Sequence, residues 1–198
     1  FDWEMKTQRV GFKKALALDP SNEVALERLG EDERLPTYVD GLDAMLEGGI
    51  PARHVVLICG RAGSMKSSFA YYMLHKLSEK GGRKTIYLSL EQSRQSLLKH
   101  MRKLGLKKET SKNLMVSDLD DMVVVDMAAL RKETDTETVE NIDWPKSILN
   151  QLKSYKENFG CDAVVIDSLS ALYSLTTFKN PRSELFFFFE KLRDIGIT

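Results

Sequence analysis

The chain has 198 residues, 42% of them apolar, with 29 basic side chains against 29 acidic ones. That size bounds one full domain with at most a short appendage. The charge balance excludes a strongly basic nucleic-acid wrapper and an acidic disordered tail, no apolar run approaches the roughly 20 residues of a membrane span, and two cysteines are too few for a disulfide framework. A soluble, cytoplasmic globular domain with no membrane partner is expected.

Residues 1–34 read as a helical unit separate from the rest of the chain. Phe12, Ala15, Leu16 and Leu18 line one face of a helix, Asp19-Pro20-Ser21-Asn22 makes a turn, and a second helix fits Glu23 to about Gly30. The main domain then covers residues 35–198. Val55–Cys59 is a short apolar run that suits a strand buried on both faces. Ser67–Lys80 has helical spacing and stops at Gly81-Gly82. Thr85–Leu90 is the next strand, Leu97, Leu98, Met101 and Leu104 mark a helix, and Met122–Met127 is a third strand. Asp143 caps a helix with Pro145 in its first turn, and Gly160 ends it. Ala163–Asp167 is a fourth strand and Leu185–Ile195 a last helix. Such alternation predicts an α/β fold of mostly parallel strands with flanking helices. Because Ile197-Thr198 falls where a further strand should begin, the C-terminal part of the core is expected to be missing.

The most informative segment is Gly60-Arg61-Ala62-Gly63-Ser64-Met65-Lys66-Ser67, between a predicted strand and a predicted helix. It matches the phosphate-loop pattern G-x-x-x-x-G-K-[ST] except at Met65, which stands in place of the second glycine. Gly60 and Gly63 let the backbone curl so that successive N–H groups face phosphate oxygens. The helix N-terminus, with Ser68 in its first turn, adds partial positive charge. Lys66 would reach the β- and γ-phosphates of ATP, and Ser67 would offer its hydroxyl to Mg²⁺. Met65 is expected in the right-handed helical region, where a side chain only has to find room.

Two carboxylates extend the site. Asp167 ends a hydrophobic strand before Ser168, as an aspartate that organises Mg²⁺ would. Glu91 comes directly after the strand ending at Leu90, where it could polarise the water attacking the γ-phosphate. Ligands of open α/β sheets gather at the carboxyl ends of strands, where Gly60, Glu91 and Asp167 all fall.

Gly41-Leu42-Asp43, Gly48-Gly49-Ile50-Pro51, the run Val55–Cys59 and the phosphate loop together resemble the opening of a KaiC-like ATPase domain of the RecA/RadA superfamily. Ser89-Leu90-Glu91-Gln92 is similar to the segment that carries the family's catalytic glutamate, and Asp162–Leu169 to its Mg²⁺-binding strand. The resemblance implies a RecA-like core, ATP at subunit boundaries, and a homo-oligomer, as a hexameric ring or a filament, with Glu91 catalytic. Gln92 stands where such domains often carry a second glutamate. Trans-acting basic residues and the base-binding strand would lie beyond Thr198. Phe12-Lys13-Lys14-Ala15 matches the F-x-x-A pattern by which recombinases of the superfamily engage a neighbour, and the stretch through Ala25 resembles a tetratricopeptide junction.

Three functional readings are open: a slowly hydrolysing, self-assembling ATPase switch; a nucleotide-binding scaffold with negligible turnover; and a DNA recombination or repair accessory, which neutral net charge does not favour. Other features have plainer expectations. Cys59 and Cys161, at opposite ends of their strands, would lie roughly 17 Å apart, too far for a disulfide. His54, His75 and His100 lack metal-like spacing and are expected at surface or half-buried positions. Leu185, Phe188, Phe189, Leu192 and Ile195 form a stripe that leaves Phe186 and Phe187 off it, needing cover. A basic run, Arg94–Lys112, and an acidic one, Asp118–Asp143, are solvated faces or complementary sides of a subunit interface.

Overall fold

In the computed structural model the described residues are 33–106, 122–127 and 143–198, together with Lys14 and Leu18. The helical unit predicted for residues 1–34, with its Phe12–Ala15 motif, therefore lies almost wholly outside them; Lys14 and Leu18 are helical, and Leu18 is exposed. Most of the acidic run and the end of the basic run also fall outside.

The main domain opens with β1 (Arg34–Leu35), α1 (Leu42–Met45) and β2 (Ile50–Pro51), the two strands pairing antiparallel. Asp43 ties this unit together. Its carboxylate accepts hydrogen bonds from the Thr37 amide (2.7 Å), the Thr37 hydroxyl (2.6 Å) and the Tyr38 amide (3.1 Å). Burial by itself would raise its pKa, but these donors outweigh it and hold the group below the usual carboxylate range.

Next come α2 (Lys66–Gly81), β3 (Thr85–Ser89), α3 (Arg94–Lys103), β4 (Met122–Asp126), α4 (Trp144–Phe159), β5 (Ala163–Asp167), α5 (Leu169–Leu175) and α6 (Pro181–Asp194). The three longer strands form one parallel sheet in the order β4-β3-β5. Strand periodicity assigns its two faces. Ile86 and Leu88 pack with Val123 and Val125 against Ile148, Leu152, Leu172, Phe188 and Leu192, which come from α4, α5 and α6. Tyr87 and Val124 pack on the other side, against Ala70, Leu74 and Leu77 of α2 and Leu97 and Met101 of α3. The α/β expectation holds, with helices covering both faces. Among the described residues no helix is long and apolar enough to cross a membrane.

Local chemistry sets the helix ends. The Asp143 side chain accepts from the Lys146 amide at 3.1 Å, Pro145 occupies the first turn, and Gly160 closes α4 in the left-handed conformation. Two helical features escape periodicity. The seven-residue α5 is too short to show a stripe, although the Ser168 hydroxyl caps it by accepting from the Ala171 amide. The last helix starts at Pro181, earlier than its apolar stripe, because the Asn180 amide donates to Glu184 and its side chain accepts from the Ser183 amide. Its stripe is as expected: Phe188 and Leu192 are buried, whereas Phe186 and Phe187 are exposed and meet edge to face.

Two expectations are overturned. Val55–Cys59 is not a strand, and Val55, Val56 and Leu57 are 43%, 52% and 71% exposed. The reason lies at the free edge of β5. Thr198 bonds to that edge through its carbonyl (from the Val164 amide, 2.7 Å) and its amide (to the Asp162 carbonyl, 3.1 Å). Its hydroxyl also accepts from the Arg53 amide at 2.7 Å. The 55–59 run thus departs from the far side of Thr198, and no sheet neighbour meets it among the described residues. The second correction concerns Met65, which precedes α2 at φ 62°, ψ 24°, in the left-handed region rather than the helical one. The loop retains the backbone shape that a glycine would adopt freely, at a cost of about 1–2 kcal/mol for a side chain.

His75 is likewise more buried than expected, stacked on Tyr71 within α2, whereas His54 and His100 are exposed. Neither cysteine is in a disulfide; Cys59 is exposed and Cys161 buried.

Two measurements check this fold. Met65→Gly should raise the unfolding free energy measured by urea denaturation, by up to about 1 kcal/mol once the greater freedom of glycine in the unfolded chain is set against the relieved strain. Thiol titration of the folded chain near pH 8 should count one group, Cys59, and two in denaturant. Burial pushes the Cys161 thiol up to about 12 despite the nearby Lys156 cation, so it stays protonated and unreactive while folded.

Candidate functional site

The parallel register builds the site. Ser89 lies level with Asp126 on one side and with Asp167 on the other, so three polar side chains end their strands in a row. Each then does something different. Asp126 accepts from the Arg94 amide at 2.8 Å and so supports the start of α3. Ser89, almost fully buried, donates from its hydroxyl to the Gln92 carbonyl at 2.6 Å, which shapes the turn carrying Glu91. The Leu90 amide donates to the Asp167 carbonyl at 2.7 Å and ties that turn to the end of β5.

Glu91 is exposed and accepts a hydrogen bond from the Ser168 hydroxyl. Ser168 is therefore shared, since the same oxygen caps α5. Asp167 accepts through Oδ2 from the Tyr87 hydroxyl at 2.6 Å. Burial raises the Tyr87 pKa first, and the bond and charge of Asp167 raise it further; the Ser67 side chain acts against this, while the Glu91 charge adds to it. Of the residues proposed from sequence, Asp167 contacts the phenol directly, and Glu91 is joined to the end of the same strand through Ser168.

The loop lies beside them. A Cβ on Gly60 would come 2.6 Å from the Ser64 oxygen, and Gly63 has φ 77°, so the two glycines serve different ends, one close approach and one turn. The Ser64 amide donates to the Arg61 carbonyl at 3.2 Å. Lys66 donates to the carbonyls of Gly60 (3.1 Å) and Arg61 (3.0 Å), holding its ammonium across the loop. Arg61 and Ala62 are exposed, Ser67 is half-buried, and Ser68 is buried in the first turn of α2. A cavity of about 670 Å³ opens beside the loop between Cys59, Met65 and Lys66 on one side and Phe69, Tyr72 and Leu106 on the other. A groove of about 770 Å³ between α4 and α6 touches none of these residues.

The donor set fits a hard cation completed by a ligand. Ser67 and Asp167 offer oxygen only, and among the described residues no group of three His, Cys, Asp or Glu side chains forms a metal cage. Mg²⁺ is commonly held by one or two protein oxygens plus phosphate and water, which is the arrangement these residues permit. Sequence reasoning missed Tyr87 and Ser168. Period-2 alternation puts Tyr87 and Val165 at one level and Asp167 two residues on along the same face, but only a known register makes that legible. Ser168 is visible in the sequence only as the residue after Asp167.

The chain is similar to several known proteins. A UPF0273 protein of Saccharolobus solfataricus is 28% identical over 144 residues, covering 71% of this chain and 50% of that protein. A UPF0273 protein of Sulfurisphaera tokodaii is 31% identical over 147 residues, covering 71% and 49%. The circadian clock protein KaiC3 of Synechocystis is 28% identical over 167 residues, 84% of this chain and 32% of that one. The chain thus spans about half the length of the first two and a third of the last. A crystal structure of a KaiC-like protein from Pyrococcus horikoshii shares the fold, with a TM-score of 0.61 and 20% identity over 84% of this chain and 68% of that one. The family model described as "ATPase: KaiC" matches residues 35–198, and the chain belongs to that family, as a KaiC-like ATPase domain of the RecA superfamily.

Proposed function

We propose that this chain binds ATP with Mg²⁺ and hydrolyses it slowly, as a nucleotide-dependent switch. The observation that carries the reading is the junction of Asp167 and Glu91 through Ser168 at the strand ends, in a chain whose glycine-bounded loop ends in Lys66 and Ser67. The backbone N–H groups of Gly60 to Ser68 would hold the phosphates, with Arg61, Ala62, Gly63, Ser64 and Met65 supplying main chain. Lys66 would leave its two carbonyl partners to reach the terminal phosphates. Ser67 and Asp167 would hold Mg²⁺, which supplies charge neutralisation between the β- and γ-phosphates when bound. Glu91, oriented by the Ser168 hydroxyl, would accept a proton from the attacking water.

Assembly into a ring or filament, with ATP at subunit boundaries, forms part of the same proposal. Family membership supports it, and so does the exposed Phe186–Phe187 pair, which a neighbour could cover. A scaffold with negligible turnover is the second reading, favoured by Met65 and Gln92, which stand where such sites carry a glycine and a second glutamate.

Phosphate release separates the two. Glu91→Gln should bind ATP normally and lower the rate by about 10²–10⁴-fold, the range for loss of a general base. Lys66→Ala should weaken ATP binding by calorimetry at least about tenfold, as expected for a lost charge-assisted bond. Equal phosphate release from wild type and Glu91→Gln would favour the scaffold. Light scattering with and without ATP tests the assembly.

A further inference from the structure

Tyr87 has a hydroxyl where its packing asks only for a ring. The residue is fully buried on the α2–α3 face of the sheet, where it touches Tyr71 at 5.7 Å between ring centres. A phenylalanine would fill that space. A buried hydroxyl, however, needs a partner, and the partner here is Asp167, a candidate Mg²⁺ ligand. The reach is set by register. Tyr87 pairs with Val165, so the phenol leans along the sheet to meet the side chain two residues further on the neighbouring strand, a diagonal that long aromatic side chains can span.

We infer that Tyr87 is a positioning residue for the metal site: it pins Oδ2 of Asp167 and leaves Oδ1 available to the cation that Asp167 and Ser67 would hold. The inference rests on the nucleotide-binding reading above and deepens it. One feature of the site makes the bond suitable. The Leu90 amide, in the turn directly after β3, holds the Asp167 main chain, so β3 and its turn together fix both the backbone and the side chain of this residue. The carboxylate then does not have to be ordered when the cation arrives. A bare carboxylate at a strand end would have to be.

The test uses the complete chain, Mn²⁺ as the probe, and electron paramagnetic resonance of Mn²⁺ binding to the ATP-loaded protein. Tyr87→Phe keeps the ring and removes one oxygen. It should leave ATP affinity in EDTA unchanged and weaken Mn²⁺ about tenfold, the lower end of what loss of an outer partner to a metal ligand costs. In an Asp167→Ala background the same change should have no further effect, because the acceptor of the hydroxyl is already gone. A purely structural role predicts otherwise: the loss would persist in that background, and ATP affinity in EDTA would fall as well. Either result overturns the inference. So does Mn²⁺ affinity in Tyr87→Phe equal to that of wild type while wild type binds ATP and Mn²⁺. Failure of wild type to take up ATP at all would remove the nucleotide reading itself, and this inference with it.

Discussion

The in-phase parallel pairing of β3 with both its neighbours is the constraint on which the candidate site depends. Side chains alternate along a strand, so a slip of one residue in the β3–β5 ladder would send Asp167 to the opposite face from Tyr87, and one in the β3–β4 ladder would do the same to Asp126. With Thr85 set against Met122 and Ala163, the strand ends line up, and buried hydrophobic side chains on both faces hold that register. The polar chemistry at the edge is thus positioned by apolar packing beneath it. No polar contact at the edge has to supply that order.

Around this edge the work is shared out by hydroxyls. Tyr87 engages Asp167, Ser168 engages Glu91, and Ser89 fixes the turn between them. All three are neutral donors, so none cancels the negative charge that the carboxylates would present to a cation or a water. The cationic group nearby, Lys66, is instead bonded to carbonyls of its own loop.

Much of this is legible in the amino-acid sequence because it depends on local rules. Asp143, Pro145 and Gly160 mark the ends of α4, and the spacing of Leu185 to Ile195 separates the covered rings from Phe186 and Phe187. The strand–helix alternation yields the α/β class. The illegible part depends on contacts between distant segments. Val55–Cys59 has the composition of a buried strand, but a strand requires a neighbour, and composition is silent about where Thr198 stands. Met65 departs from expectation for a related reason: a side chain in the left-handed region is disfavoured on its own terms, and only the loop around it imposes that shape. Tyr87 reads as one more aromatic in a strand until the register shows what lies diagonally across from it.

The contact between Gly60 and Ser64 bears on how this loop can vary. Gly60 has no unusual backbone conformation to protect; what a Cβ there would meet is the Ser64 hydroxyl, a side-chain atom that can turn aside. The two positions therefore form a compensating pair. A smaller or differently turned residue at position 64 would leave room for a side chain at position 60, whereas Gly63, tied to its dihedral, has no such partner to release it. Two glycines that look equivalent in a motif are thus open to different evolutionary routes.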